Sequence, residues 1–507
     1  MKKTIFIKNA VILTATSLLL RFIGIIFKVW LAALIGSEGI GLHQLIFSVY
    51  LLVSTFASSG ISTAVTRLTA EELVVGSKNG TKKILKRSVE ITMIIAIISA
   101  AAVFFGAELI AEYLLEDARA IYALKILPLS LPFMGISACI RGYFIARRNV
   151  TPNAIAQIAE QGIRIVTVFL LVKAFINKGL ALCCAAVIAG DIISEALGCL
   201  IIFISYVKDR KKITDSSQKE TSHSPIIRKI LHIAVPITSG RYLNTLLRTA
   251  ENILVPKNLN RYILTKGKAL SQFGMIKGMA LPILFFPSAL LNSISTLLIP
   301  EISEATAKNQ MALVKSATQN ILKLTAVISF IFSAIFLIAG DKIGNLFYNE
   351  EDIGFLLKAL SPIVPFMYLD SISDGILKGL DQQSFTFRTA ISDSVIRIIL
   401  ILIILPLCGI NGFIGIMYFS NLFTCCLNVG RLLKVSKARI KPFSEVLFPI
   451  IFAFGSTFTA NTLINFAGIK SDLLFTILLC VISLALYIGS LFISGTVKRE
   501  QLNNLLP

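Results

Sequence analysis

Pro132-Phe-Met134 recurs as Pro365-Phe-Met367, an offset of 233 positions (365 − 132), and the rest of the chain falls into place around that repetition. At the same offset Gly41 meets Gly274, Ile61-Ser-Thr63 meets Ile294-Ser-Thr296, and Glu71 meets Glu304. Further along, Gly142 meets Gly375, Glu160 meets Asp393 and Arg164 meets Arg397. One ungapped offset that holds from Gly41 to Arg164 marks an internal duplication.

Composition says what is duplicated. The 507 residues are 55% hydrophobic and 15% charged, with mean hydropathy +0.80. Soluble domains carry roughly 45–50% apolar and about 25% charged residues, so the chain reads as an all-α polytopic membrane protein. A crossing needs about 20 mostly apolar residues, and on that criterion about fourteen transmembrane helices are expected. The repeat begins at the second span and again at the eighth, a shift of six. An even shift keeps both copies in one orientation, so two pseudo-symmetric six-helix lobes should be related by an axis along the membrane normal. The expected division is an N-lobe over 1–207, a cytoplasmic linker over 208–225, a C-lobe over 226–434, and a C-terminal helix pair with its tail over 435–507.

The net charge of +21 would suggest nucleic acid in a soluble chain, but here it reports topology and no nucleic acid is expected. Basic clusters follow even-numbered spans: Lys82, Lys83, Lys86 and Arg87, then Arg147 and Arg148, then Lys208, Arg210, Lys211 and Lys212, and later Arg431, Lys434, Lys437 and Arg439. With Lys2, Lys3 and Lys498 they place both termini in the cytoplasm of a cell-membrane protein. Lys257, Arg261, Lys266 and Lys268 break the rule by falling between spans seven and eight, on the outer side. Arg21 and Lys28 interrupt the first apolar run, so it reads as an uncleaved span rather than a secretory signal. The 8 cysteines contain no C-x-x-C pair, and no His/Cys/Asp cluster has metal-ligand spacing, so no metal or other cofactor is expected. Without a G-x-x-x-x-G-K-[ST] motif the chain is not itself an ATPase, and the parallel repeat points to alternating access around a midplane site.

Ionisable groups inside spans are costly, roughly 2.5–3.5 kcal/mol each, and so tend to face a cavity or a partner. The lead helix of the second lobe contains Gly240-Arg-Tyr-Leu-Asn-Thr-Leu-Leu-Arg-Thr-Ala-Glu-Asn252, whose Arg241, Thr245, Arg248 and Asn252 recur at helical spacing. The lead helix of the first lobe carries Arg21 and Lys28. Facing each other, these helices would make a cationic cavity suited to phosphate oxygens, with Arg21, Lys28, Arg241, Asn244, Arg248, Glu251 and Lys277 as candidate lining residues. The competing reading is local pairing, since Glu251 stands at i+3 from Arg248. Glu160 with Arg164, and Asp393 with Arg397, are i, i+4 acid-to-base pairs at equivalent places; either they brace each lobe or Asp393 binds a coupling cation or proton.

Gly36-Ser-Glu-Gly-Ile-Gly-Leu-His-Gln44, Gly278-Met-Ala-Leu-Pro282 and Ser295-Thr-Leu-Leu-Ile-Pro-Glu-Ile-Ser-Glu-Ala305 resemble the stage V sporulation protein B group of polysaccharide and lipid-linked-precursor exporters. That group belongs to a superfamily which also holds multidrug antiporters and lipid II flippases. The resemblance implies a flippase, not an enzyme, that moves an undecaprenyl-pyrophosphate-linked oligosaccharide or peptidoglycan precursor for the spore cortex or cell envelope. It implies as partners a lipid-linked anionic glycan, membrane lipids, and a coupling cation or proton, with the chain acting as a monomer. A cation-coupled multidrug antiporter would want an acidic group in the first lobe's cavity to hold a cationic drug, and the lead span has none. A polytopic envelope-glycan enzyme would want catalytic residues on a sizeable loop, and the loops here are short.

Overall fold

The computed structural model describes residues 2–75, 78–211, 226–289, 291, 302–348, 351–469 and 471–495. The linker residues 212–225, the repeat segment Ile294-Ser-Thr296, Glu301 and the basic tail at Lys498 lie outside the described residues. Among the described residues every regular element is helical, as the hydropathy pattern predicts. In chain order the α-helices are α1 (Lys2–Val75), α2 (Lys78–Leu109), α3 (Ile121–Ile126), α4 (Leu131–Ala146), α5 (Thr151–Phe175), α6 (Leu180–Arg210) and α7 (Ile226–Ile263). They continue as α8 (Lys266–Gly274), α9 (Leu281–Phe285), α10 (Met311–Tyr348), α11 (Glu351–Leu360), α12 (Val364–Gly379), α13 (Gln383–Ser436), α14 (Phe448–Phe466) and α15 (Asp472–Ile493).

Ten helical stretches among the described residues are long and apolar enough to cross a membrane, which makes this a multi-pass membrane protein. Two of the ten are far longer than one crossing: Thr14–Val74 with 61 residues and Gln383–Ser436 with 54. At 1.5 Å per residue a straight helix of such length would extend roughly 80–90 Å, almost three times the ~30 Å hydrocarbon core. Each is broken where a glycine takes a left-handed backbone, Gly36 at φ 70° and Gly409 at φ 56°. A side chain is disfavoured at such φ, so glycine is what permits the change of direction inside one continuous helix. The expected count of about fourteen is not reproduced helix by helix. With each of the two long stretches counted as two spans, twelve are accounted for (10 + 2); of the other two expected spans, α7 is too polar to qualify, and the one expected over 268–300 is only partly described.

The chain separates into two compact units, residues 1–27 with 34–257, and residues 28–33 with 258–507. In the first unit the core is aliphatic and aromatic, with Ile61 and Val65 of α1, Leu85 of α2, Ile140, Tyr143 and Phe144 of α4, Ile202 and Tyr206 of α6, and Ile230 and Ala234 of α7. Tyr143 packs edge-on against Tyr206 at 5.0 Å between ring centres, and its hydroxyl donates to Asp209 at 2.9 Å. Arg147 reaches the same carboxylate at 3.0 Å, so the ends of α4 and α6 are tied by both packing and charge. In the second unit α14 and α15 pack on each other and on α10. There the buried Tyr487 donates its hydroxyl to the Val327 carbonyl at 3.1 Å. Large apolar side chains such as Ile98, Phe105, Phe466 and Ile493 are exposed along the helices, the arrangement expected of surfaces that meet lipid.

Candidate functional site

The first unit has an open cavity of about 670 Å³ built from four helices. From α1 come Ser54, Thr55, Ser58 and Ser62; from α4, Met134, Ser137, Ala138, Arg141 and Ile145; from α6, Glu195; and from α7, Arg241, Asn244, Thr245 and Arg248. Three arginines stand against one glutamate among the lining residues, so the cavity is cationic.

Close approach of α7 to α1 sets the shape of this site. A Cβ on Gly60 would lie 2.2 Å from the Ala234 carbonyl oxygen and 2.2 Å from Thr238 Oγ1, so only a residue with no side chain lets the two helices meet there. Toward the C-terminal end of α7, Thr249 Oγ1 donates to the Ser48 carbonyl at 3.1 Å and Asn252 Nδ2 to Ser48 Oγ at 2.9 Å. Between these fastenings Thr55 Oγ1 and Thr245 Oγ1 lie 3.4 Å apart. The helical spacing of Arg241, Asn244, Thr245 and Arg248 then carries all four into one wall.

Behind the cavity lies an ion network that includes the expected Glu160–Arg164 pair and goes beyond it. Glu160 Oε1 accepts from Arg164 at 3.2 Å and its Oε2 from Arg141 at 2.8 Å. Arg164 also reaches Asp191 at 3.0 Å. Glu160 is 14% exposed at the side chain, and the two arginines 27% and 28%, so the cluster is largely removed from solvent. Asp191 and Glu195 sit at i, i+4 on α6, where two like charges repel; Arg164 against Asp191 offsets that repulsion. Tyr50 of α1 bridges to α6 and α4, with its hydroxyl 3.4 Å from Glu195 Oε1 and 2.7 Å from Met134 Sδ.

Of the residues expected at the site, Arg241, Asn244 and Arg248 line this cavity together. Arg21 and Glu251, also in the first unit, are not among its lining residues; Arg21 is exposed on α1, and Glu251 is 3% exposed on α7. Arg248 makes no ion pair with any described residue, so the local Arg248–Glu251 pairing does not form. Lys28 and Lys277 belong to the second unit, where Lys277 sits 5.8 Å from the centre of the Phe413 ring. Lys257 and Arg261 lie within α7 rather than in a connection, Lys257 paired with Glu116 at 2.5 Å and Arg261 donating to Asn258 at 3.3 Å. In the second unit Arg397 bonds Asp393, whose other oxygen accepts from Ser420 Oγ at 2.6 Å. Nearby on the chain, Asn428 donates to Asp370 at 2.8 Å. Sequence reading missed Arg141, Asp191, Glu195 and Tyr50. For the three charged groups the signal was present, since each is an ionisable residue inside an apolar run. Among the described residues no group of three or more His, Cys, Asp or Glu side chains could hold a metal ion.

The sequence profile of polysaccharide biosynthesis proteins matches residues 6–305, and that of MatE proteins matches residues 276–403. Stage V sporulation protein B of Bacillus subtilis (strain 168) is 26% identical over 524 aligned positions, spanning 100% of this chain and 98% of that protein. The lipid II flippase MurJ of the same organism is 22% identical, covering 80% of this chain and 78% of its own length. Among solved structures, a lipid II flippase MurJ in an inward closed conformation superposes with a TM-score of 0.73 at 16% identity, covering 96% of this chain and 100% of that one. An inward-facing multidrug resistance MATE family transporter gives a TM-score of 0.64 at 14% identity over 85% of this chain and 100% of its own.

Proposed function

The chain belongs to the polysaccharide biosynthesis protein family, and from that membership we propose that it is a flippase for a lipid-linked anionic glycan, an undecaprenyl-pyrophosphate-linked oligosaccharide or peptidoglycan precursor of the spore cortex or cell envelope. The observation that carries the reading is the 670 Å³ cavity with Arg141, Arg241 and Arg248 on its walls. A cavity of this size accommodates a diphosphate and part of a sugar headgroup. Guanidinium groups bind phosphate oxygens through paired, charge-assisted hydrogen bonds, and they stay charged at any physiological pH. The lipid chain would remain outside the cavity in contact with the bilayer. The same three-to-one excess of arginine over glutamate disfavours a cationic drug, and with it the antiporter reading.

Transport proceeds in this scheme by alternating access of the duplicated lobes, 1–207 and 226–434, with both termini in the cytoplasm and the chain acting as a monomer. Asp393, tied to Arg397 and Ser420, is the candidate for coupling to a cation or proton. The test uses proteoliposomes of the full chain supplied with a lipid-linked pyrophosphate sugar and with its dephosphorylated analogue. Selective movement of the pyrophosphate form is expected; equal handling of the two would refute the phosphate reading.

A further inference from the structure

The polar groups of the cavity differ from wall to wall in hydrogen-bonding sense. On α7 the charged side chains, Arg241 and Arg248, offer donors only; Asn244 offers both donors and an acceptor, and Thr245 donates to the Arg241 carbonyl at 3.0 Å. On α1 two of the hydroxyl protons are already engaged: Ser54 Oγ donates to the Leu51 carbonyl at 3.1 Å and Ser58 Oγ to the Ser54 carbonyl at 2.8 Å. A hydroxyl that donates to its own helix turns lone pairs outward, so these two serines present acceptors to the cavity. Glu195 of α6 adds the one carboxylate among the lining residues, and beyond the Tyr50 hydroxyl at 3.4 Å it retains further acceptor positions. The arginine of α4, Arg141, is drawn back by Glu160 at 2.8 Å and does not neutralise that carboxylate through an ion pair.

We infer that Ser54, Ser58 and Glu195 form a second subsite that receives hydrogen-bond donors, the hydroxyl and amide groups of a glycan, while the α7 arginines take the acceptor-only phosphates. The inference rests on the flippase reading and names the part of the substrate that reading leaves unassigned. A lipid-linked glycan has this same division along its length, with phosphate oxygens that only accept and a sugar whose hydroxyls donate. A cavity with Arg241 and Arg248 on α7 and with Ser54, Ser58 and Glu195 on α1 and α6 therefore favours one direction of headgroup entry. Glu195 is the specificity-determining residue, because its carboxyl oxygens accept from the hydroxyl and amide groups of a sugar, whereas phosphate oxygens bring them no donor.

The test measures binding to the full chain in lipid nanodiscs of three probes: undecaprenyl pyrophosphate, the same lipid bearing a disaccharide, and that disaccharide lipid with its hydroxyls methylated. The wild type should bind the disaccharide lipid at least about tenfold more tightly than the methylated one, as expected for losing one charge-assisted bond or more. Glu195→Ala should abolish that preference while binding undecaprenyl pyrophosphate at least as tightly as the wild type does, which also shows that the variant is folded. Glu195→Gln, which keeps one acceptor oxygen, should retain part of the preference. Equal wild-type affinity for the free and methylated glycans would overturn the inference, as would a uniform loss across all three probes in Glu195→Ala. If Arg248→Ala leaves every affinity unchanged while Glu195→Ala removes the glycan preference, the phosphate reading fails and the glycan subsite stands.

Discussion

Removing Glu160 tests whether the network behind the cavity is structural. Its carboxylate holds two guanidinium groups at once, Arg141 at 2.8 Å and Arg164 at 3.2 Å, with only 14% of the side chain exposed. Breaking one partner out of a buried ion pair costs about 3–5 kcal/mol, because the remaining charge is left without compensation. After Glu160→Ala the two arginines are not equally stranded. Arg164 keeps Asp191 at 3.0 Å, whereas Arg141 loses the one carboxylate it is bonded to and can only turn toward the cavity it lines. The expected cost is therefore at the lower end, about 3 kcal/mol. At roughly 2–4 °C per kcal/mol for a unit of this size, the melting temperature of purified protein should fall by roughly 6–12 °C. Glu160→Gln should fall between, keeping an acceptor but no charge. Adding Arg141→Ala to Glu160→Ala should recover about 1–3 kcal/mol, since the stranded charge is then gone. A single mutant that melts like the wild type, or a double mutant whose losses simply add, would refute this account.

Arg248→Ala should abolish complementation of a flippase-deficient strain while the protein still reaches the membrane folded; full complementation would sink the cavity reading. Gly60→Ala should separate α7 from α1, with an overpacking cost of about 1–3 kcal/mol read as a lowered melting temperature and weaker pyrophosphate-lipid binding. Lys257→Glu, which sets two acids together where 2.5 Å now separates Lys257 from Glu116, should change stability by no more than about 1 kcal/mol because both side chains are over a third exposed. Exchanging the two charges in a Lys257→Glu, Glu116→Lys double variant should return the melting temperature to that of the wild type.

Periodicity and hydropathy carried most of the fold. Helical class and membrane insertion follow from local chemistry, so the chain states them repeatedly over its length. The breaks were harder: Gly36 and Gly409 turn a helix without ending it, and nothing local distinguishes such a glycine from Gly24 or Gly415, whose backbones do not leave the helix. The cavity was half legible. Arg241, Asn244 and Arg248 announce one face because they are spaced on a single helix, which is a one-dimensional signal. Arg141 and Glu195 join them from helices far away in sequence, and Tyr50 gives no sign of its role until α6 is packed beside it.

The duplication that reveals the architecture also shows why function resisted being read from it. Glu160–Arg164 and Asp393–Arg397 are the same motif at equivalent places, and both pairs form. Their surroundings differ at the matching positions. Where the first copy has Arg141, which bonds Glu160, the second has Asp374 (141 + 233). In consequence Glu160 is bonded by two arginines, whereas Asp393 is bonded by one arginine and a serine hydroxyl. A carboxylate bonded by two guanidinium groups is held in place from two sides, which suits a brace; one bonded by a single guanidinium and a neutral hydroxyl has fewer charge-assisted bonds to give up before it meets another partner. The duplicated pair is thus bonded as a brace behind the cavity in one copy, and the other copy is the one proposed for coupling. Asp393→Asn should on this argument spare stability more than Glu160→Ala does, with a smaller fall in melting temperature, while removing any dependence of transport on pH or sodium; a stability loss equal to that of Glu160→Ala would show that the two copies brace alike.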